Sequence, residues 1–339
     1  MDSLSQLALG AAVGIAVMGR RTAVWKAALW GGICGTLPDL DTFISRGDPV
    51  SDMTLHRTES HALFYQTLLA PLLAWGVAVL HRERERWGRW CLAVWAALVT
   101  HPLLDLMTIY GTQLGLPFTD HPFGIGSVFV IDPLYTLPLL VGVAGAWRLR
   151  HTPAGLRWNA AGLLLSTAYL AWGVAVQHHV TRLARQALQA QGVAVDRLLV
   201  TPTPFNTVLW RVVAITPQGY AEAYHSLLDA NGSWRLQHHR RDAALDRQLQ
   251  ARSWHARRLA WFSHGFYKVW EQDGECRMSD LRMGMEPYYT FTFAMGRRAA
   301  DGSVEPQMPR LLEARPDLPP VLHWLWQRAL GNEGLAPLQ

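Results

Sequence analysis

Apolar residues are concentrated in the N-terminal half of the chain, in runs that few charged residues interrupt. The four longest runs lie at 61–80, 90–109, 128–147 and 158–176. A helix of roughly 20 apolar residues is long enough to cross the hydrocarbon core of a bilayer, which is about 30 Å thick. The pattern therefore predicts a transmembrane helix at each of these runs.

Two shorter apolar runs precede them, at 4–18 and 24–37, and both are rich in glycine and alanine. They barely reach across a bilayer, so they are tilted spans packed closely on other helices, a re-entrant pair, or two buried helices of a soluble domain. In the first two cases the chain returns to the side on which it starts. We therefore expect an α-helical membrane protein with about six transmembrane segments.

The pattern changes after residue 176. Apolar residues at helical spacing predict an amphipathic helix at 178–191. Further on, aromatic and β-branched residues partly alternate with polar ones at 209–214, 267–271 and 289–293, which is typical of β-strands. These features predict a small, mostly β (α+β) domain.

Turn and helix signals complete this second domain. Helical patterns at 242–261 and 322–330 indicate two elements that would pack against its sheet. Dipeptides typical of tight hairpin turns occur at Asn231-Gly232, Asp273-Gly274 and Asp301-Gly302.

The distribution of charge supports a division into two domains. Residues 1–176 contain twelve of the 31 Lys and Arg and eleven of the 26 Asp and Glu, fewer than a globular domain of that size would show. The remaining residues carry a net charge of +4 and resemble a water-facing domain. We therefore predict a transmembrane helical domain at 1–176 and an extracytoplasmic α+β domain at 177–339.

Basic residues in the short loops predict the orientation. Cytoplasmic loops carry an excess of Lys and Arg. Loops on one side of the predicted segments contain ten basic residues, and loops on the other side contain two. The ten are Arg20, Arg21, Lys26, Arg82, Arg84, Arg86, Arg89, Arg148, Arg150 and Arg157, and the two are Arg46 and Arg57. We therefore expect a multi-pass protein of the bacterial inner membrane with both termini outside the cytoplasm.

Ionisable residues in or beside the predicted membrane segments are the candidates for chemistry. Within a bilayer such groups cost several kcal/mol unless they are paired, solvated or bound to a metal. Three motifs place them there. They are TLPDLD at 36–41, HRTESH at 56–61 and HPLLD at 101–105.

The third motif places His101 and Asp105 on one face of a helix, about one turn apart. Imidazole and carboxylate are ligands of zinc and other divalent ions, although an isolated pair is also explained by a hydrogen bond between packed helices. In the first motif, Asp39 and Asp41 follow Pro38, which breaks regular structure. Two acids so placed do not share a face, so one would bind a metal while the other orients a ligand or acts as a general base.

In the second motif, His56 and His61 are five residues apart, so His56 would precede the third segment and His61 would lie in its first turn. Arg57 between them suits an anion such as phosphate. The convergence of three motifs favours one metal centre over polar packing. The predicted ligands of this divalent ion, with zinc as the first choice, are Asp39, Asp41, His56, His61, His101 and Asp105. Asp41 and Arg57 are the predicted catalytic residues.

These motifs resemble a bacterial family of inner-membrane, metal-dependent hydrolases described as LexA-binding. The resemblance covers residues 1–145 and extends to 202–211. It is carried by MDSL at 1–4, GTLPDLD at 35–41, HR at 56–57, SH at 60–61, THPLLD at 100–105, YGTQ at 110–113, PF at 117–118 and IDPLYT at 131–136. What the resemblance implies is hydrolase activity.

The first functional hypothesis is therefore a metal-dependent hydrolase at the outer face of the membrane. A bound metal would lower the pKa of a water molecule, and a lipid or lipid-linked phosphoester would be the natural substrate at a membrane edge. We expect membrane lipid as a partner and no nucleic acid. The alternatives are a non-enzymatic transporter, for which the expected internal symmetry is missing from the sequence, and a metal-binding scaffold or sensor. The oligomeric state is open.

Overall fold

A computed structural model of the chain describes residues 1–230, 234–312 and 317–335. The chain forms two compact units. The first comprises Met1–Ile44, Arg57–Ala175 and Pro204–Asn206, and the second comprises Ser45–His56, Val176–Thr203 and Thr207–Gln339. The turn predicted at Asn231-Gly232 lies outside the described residues.

The first unit is helical. Its helices, in chain order with one short helix of the second unit among them, are α1 (Ser3–Met18), α2 (Val24–Thr36), α3 (Pro49–Leu55, second unit), α4 (Leu63–Leu80), α5 (Trp87–Leu106), α6 (Pro133–Arg148) and α7 (Pro153–Ala190). The last of these continues beyond Ala175 into the second unit. Short 3₁₀ helices occur at Leu37–Phe43, Glu59–His61 and Arg84–Arg86.

The prediction of about six transmembrane segments is wrong. Within the described residues, two helices are long and apolar enough to cross a membrane, α4 and α7. Helices α1, α2 and α6 contain 16, 13 and 16 residues. At 1.5 Å per residue, sixteen residues extend only about 24 Å, which is less than the hydrocarbon core requires.

Helix α5 is long enough to cross a membrane but is not apolar enough. It has 20 residues, but it includes Arg89, His101 and Asp105, which lower its hydropathy. The side chains of His101 and Asp105 are fully buried inside the first unit. These two polar side chains therefore face the protein interior, and they interrupt the apolar run of α5.

Helices α1 and α2 approach each other closely through glycine. A Cβ atom added at Gly10 would lie 2.2 Å from the carbonyl oxygen of Gly31, and one added at Gly14 would lie 2.3 Å from that of Ala27. Glycine at four-residue spacing, as at Gly31 and Gly35, allows helix backbones to come into contact. Helix α1 also packs on α5 and α6, so it lies at the centre of the unit.

Polar contacts join three loops at one end of the first unit, which we call the basic end and define as residues 19–26, 81–89 and 148–152. The carboxylate of Glu83 accepts hydrogen bonds from Lys26 Nζ at 2.8 Å and from Thr22 Oγ1 at 2.9 Å. Arg20 donates to the carbonyl oxygen of His151 at 3.3 Å. Most of the basic residues that the sequence places in short loops therefore meet at one end of the helices.

The second unit is built on two antiparallel sheets of four strands. Their orders are β1-β2-β3-β4 and β10-β9-β6-β5, and β7 pairs with β8. The strands are β1 (Arg197–Pro202), β2 (Leu209–Thr216), β3 (Gly219–Ser226), β4 (Gln237–Arg240), β5 (Tyr267–Gln272), β6 (Glu275–Asp280), β7 (Gly284–Met285), β8 (Tyr288–Tyr289), β9 (Thr292–Arg298) and β10 (Val304–Leu311). The helices are α8 (Ala243–Arg252), α9 (Trp254–Phe262) and α10 (Leu318–Ala329). The α+β class expected for this part agrees with these elements.

Two predicted elements of this unit are divided. The helix predicted at 242–261 is split at Ser253, whose Oγ accepts a hydrogen bond from the backbone N–H of Ala256 at 3.2 Å and so starts α9. The strand predicted at 289–293 is interrupted between Tyr289 and Thr292. Both breaks arise where side chains or turns offer the backbone other hydrogen-bond partners.

The segment Ser45–His56 belongs to the second unit although it is flanked by residues of the first. It contains α3, which packs on α9. Arg258 Nε donates to Thr54 Oγ1 at 3.1 Å, and His255 Nε2 lies 3.3 Å from Asp48 Oδ2. The packing of α3 on α9, rather than proximity in sequence, places this segment in the second unit.

Candidate metal centre

Four side chains of the first unit form a group that could hold a metal ion. Asp39, His61, His101 and Asp105 each offer one ligand atom, and these atoms all lie within 4.8 Å of one another. The 3₁₀ helix Leu37–Phe43 provides the first and the 3₁₀ helix that ends at His61 provides the second, while α5 provides the other two. Each of the three sequence motifs thus provides at least one member of this group.

The spacing of the four ligand atoms suits a small divalent ion. The Nε2 atoms of His61 and His101 are 3.0 Å apart. Each lies 3.5 Å from Asp39 Oδ1 and 3.4 Å from Asp105 Oδ2. Ligands about 2.0 to 2.1 Å from a tetrahedral ion are separated by about 3.3 to 3.4 Å, so the five distances fit such an ion with little adjustment.

Hydrogen bonds direct the Nε2 atoms of both histidines into the group. His101 Nδ1 is 2.7 Å from the carbonyl oxygen of Gly35, which can only accept, so Nδ1 carries the proton and Nε2 keeps its lone pair. Ser60 Oγ donates to Asp41 Oδ2 at 2.7 Å and lies 2.8 Å from His61 Nδ1, from which it can accept. Partners of this kind are typical of metal-binding histidines.

The two oxygens of Asp105 have different surroundings. Oδ1 accepts hydrogen bonds from Gln6 Nε2 at 3.1 Å and from the amino group of Met1, and it forms an ion pair with Arg57 Nη2 at 3.3 Å. Oδ2 is buried and has no hydrogen-bond partner among the described residues. A buried carboxylate oxygen without a donor is costly, and a cation at the centre of the group would satisfy it.

Asp39 forms the side of the group that meets solvent. Its side chain is 20% exposed, whereas those of His61, His101 and Asp105 are 0% exposed. Water would therefore enter the group beside Asp39.

Asp41 lies next to the group of four and does not belong to it. Its Oδ2 accepts the backbone N–H of Arg57 at 3.1 Å and the hydroxyl of Ser60, and it is 3.6 Å from His61 Nδ1. These contacts place it behind His61. Its role as a ligand or general base stays a prediction.

The guanidinium of Arg57 is buried beside Asp105. It also lies over the ring of Tyr110, 4.8 Å from the centroid. The backbone of Arg57 is left-handed, with φ of 62°, and its carbonyl oxygen accepts the N–H of Gln113 at 3.0 Å. In this position Arg57 balances the charge of Asp105, and the role in binding an anion stays a prediction.

His56 lies at the end of α3, in the segment that belongs to the second unit. The group of four does not include it. Its predicted role as a ligand stays a prediction.

Two residues that support the centre were not identified from the sequence. Gln6 donates to Asp105 and to the carbonyl oxygen of His101, the latter at 3.2 Å. Gly35 supplies the carbonyl that orients His101. A glutamine within the apolar run at 4–18 is a signal that could have indicated the first, because polar side chains in such runs usually have a partner. The carbonyl of Gly35 leaves no signal in the sequence.

Comparison with known proteins places the site within a family. The family model described as YdjM inner membrane protein matches residues 1–180, which include all three motifs. The uncharacterized protein YfhP of Bacillus subtilis (strain 168) is 23% identical over 231 residues, which cover 65% of this chain and 67% of YfhP. No solved structure matches the chain.

Proposed function

Because the chain belongs to the YdjM inner membrane protein family, we propose that it is a metal-dependent hydrolase of the bacterial inner membrane. This is the family that the motifs resemble, so the resemblance is confirmed. The observation that carries the proposal is the donor set. Two imidazole Nε2 atoms and the partnerless Oδ2 of Asp105 meet beside the partly exposed Asp39.

A divalent ion in this group would supply a water molecule of lowered pKa and polarise the bond under attack. His61, His101 and Asp105 are the buried ligands in this proposal, and Asp39 is the ligand on the side open to water. We propose zinc, because two imidazoles and two carboxylates at these spacings suit it.

The residues around the ligands would control orientation and protons. Asp41 and Ser60 would hold the ring of His61, and Asp41 is the candidate general base because it is the carboxylate next to the group of four. Arg57 would balance the charge of Asp105, and its guanidinium is the candidate for contact with an anionic group of the substrate.

The proposed substrate is a phosphoester of a lipid or of a lipid-linked molecule. His61 lies two residues before α4, one of the two candidate membrane spans, so the site is at the end of that helix. Leu68 and Leu72 of α4 are 59% and 71% exposed, as expected of a surface in contact with lipid. A substrate embedded in the bilayer could therefore approach the site along this helix.

The proposal also includes the orientation of the chain. Arg82, Arg84 and Arg86 directly follow α4, and Arg148 and Arg150 directly precede α7. Basic residues beside a span are typical of its cytoplasmic side. The loops that carry these arginines, directly after α4 and directly before α7, would be cytoplasmic, and both termini would be extracytoplasmic.

The test is metal-dependent hydrolysis by the full chain purified in detergent. We expect bound zinc by elemental analysis and hydrolysis of at least one compound in a panel of phospholipid and lipid-linked phosphoesters, abolished by a chelator and restored by zinc. His101→Ala should lose the metal and lower the rate about a hundredfold or more, because metal stabilisation of the transition state is worth several kcal/mol. His121→Ala, which replaces an exposed histidine outside the site, is the matched control and should change neither property.

Two results would contradict the proposal in different ways. Absence of any metal, or metal that His101→Ala does not remove, would show that the group of four is not a metal centre. Bound zinc without hydrolysis of any ester in the panel would reject the enzyme and leave a metal-binding scaffold.

A further inference from the structure

A cavity of about 430 Å³ lies at the basic end of the first unit. It opens between the end of α1, the start of α2, the end of α6 and the start of α7. Its volume lies within the range of roughly 300 to 1,000 Å³ that is usual for small-molecule sites. The metal centre is not part of it.

The walls of the cavity are basic. Arg20, Arg150 and His151 line it, and none of the described residues that line it is acidic. Arg20 donates one N–H to the carbonyl oxygen of His151, and Arg150 donates one to that of Trp147, both at 3.3 Å. A guanidinium has five N–H donors, so each arginine is held by the backbone and keeps further donors for a ligand.

The rim of the cavity is aromatic and exposed. Trp25 and Trp147 line it and are 45% and 50% exposed. The guanidinium of Arg150 lies over the ring of Trp147, 5.9 Å from the centroid. Tryptophan is enriched at the headgroup level of membranes, where an apolar and a polar phase meet. The occupant should therefore carry an anionic group beside apolar chains.

The cavity and the metal centre lie at opposite ends of α1. Gln6, near the start of this helix, contacts Asp105, whereas Gly19, just after its end, lines the cavity. Thirteen residues of helix correspond to about 20 Å. A ligand in the cavity is thus too far away to be the substrate that reacts at the metal.

We propose that this cavity binds the phosphate group of an anionic phospholipid. Guanidinium groups are the preferred partners of phosphate, and basic pockets between membrane helices bind phosphorylated headgroups. The starts of α2 and α7 and the ends of α1 and α6 all line the cavity, so their partial charges offset each other and the positive charge of the site comes from Arg20 and Arg150. The lipid would bridge the ends of α1, α6 and α7.

The test uses the full chain in detergent and native mass spectrometry with short-chain phosphatidylglycerol. Arg20→Gln/Arg150→Gln should weaken lipid binding about tenfold or more, as expected for the loss of charge-assisted contacts. Arg148→Gln/Arg157→Gln removes the same charge from exposed positions outside the cavity and is the matched control, with unchanged binding expected. Thermal unfolding in detergent reports whether both double variants are folded.

Inorganic phosphate, added as a competitor, distinguishes the two sources of the ligand. If phosphate displaces phosphatidylglycerol only at concentrations far above that of the lipid, the proposal that the site binds a phospholipid is supported. Displacement at equal concentration would show that the site takes free phosphate, and it would overturn the lipid proposal. Equal weakening in both double variants, or in neither, would show that the cavity is not the binding site. If Arg20→Gln/Arg150→Gln is unfolded, Arg20→Lys/Arg150→Lys repeats the comparison, because lysine keeps the charge and loses the planar recognition of phosphate.

Discussion

Individual residues of the metal centre divide their atoms between two tasks. His101 uses Nδ1 to donate to Gly35 and leaves Nε2 for a ligand role, and Asp105 uses Oδ1 for Gln6 and Arg57 and leaves Oδ2. Each side chain is therefore held in place by the atom that does not face the centre. Such preparation lowers the cost of ordering the ligands when an ion binds.

At this scale, Asp41→Asn tests whether a residue behind a ligand controls the centre. The change keeps the size of the side chain and removes the charge that holds Ser60 and, through it, His61. We expect the affinity for zinc, measured by competition with a chelator, to fall about 10- to 100-fold. Asp120→Asn makes the same replacement at an exposed position outside the motifs and should have no effect. An unchanged affinity in Asp41→Asn would refute the orienting role, and complete loss of zinc would make Asp41 a ligand.

At the scale of elements, the contact between α1 and α2 positions the centre. Gln6 of α1 and Gly35 of α2 both reach α5, and the two helices are close enough to do so because glycine lies at their contact. A Cβ at Gly35 would lie 2.7 Å from the carbonyl oxygen of Gln6. The glycines of the two short apolar runs therefore allow the helices to pack closely and also position Gln6 and Gly35 beside the metal centre.

Gly10→Ala should accordingly destabilise the protein and weaken metal binding. Its Cβ would lie 2.2 Å from the carbonyl oxygen of Gly31, so the helices must separate, at a cost of about 1 to 3 kcal/mol. Gly76→Ala is the control, because a Cβ at Gly76 of α4 meets no atom of the described residues within 4 Å, and alanine there should stabilise the helix by up to about 1 kcal/mol. Thermal unfolding in detergent and zinc content are the measurements. Equal melting midpoints for the two variants would contradict the close contact.

For the whole molecule, the two ends of the first unit differ in chemistry. One end carries the aspartates and histidines of the candidate centre, and the other carries arginines around a cavity. This polarity agrees with the proposed orientation, in which the basic end faces the cytoplasm and its anionic lipids.

Reporter fusions test this orientation. A reporter that is active only in the cytoplasm should be silent when fused after Gln339 and active when inserted beside His151, in the exposed turn before α7. The reason is the excess of arginine between α4 and α7. A periplasm-specific reporter at the same two positions should give the opposite pattern. Cytoplasmic activity at Gln339 would reverse the assignment.

Local patterns in the sequence were sufficient for several features. The spacing of His101 and Asp105 places them on one helical face, and the strand patterns at 209–214 and 267–271 fall within β2 and β5. The family was also evident from the motifs. These features depend on residues close together in the chain, whose periodicity determines which surface each element buries.

Other features were decided by the tertiary structure alone. Helices α1, α2 and α6 are too short and α5 is too polar, so the expected six spans became two candidates, and the segment Ser45–His56 joined the second unit. The separation of roles between Asp39 and Asp41, and the support from Gln6, depend on contacts between residues far apart in the chain. The pattern of apolar residues does not reveal such contacts, because the positions of these side chains depend on how whole helices pack. Glycines at the contact between α1 and α2, for example, determine whether Gln6 and Gly35 can contact α5.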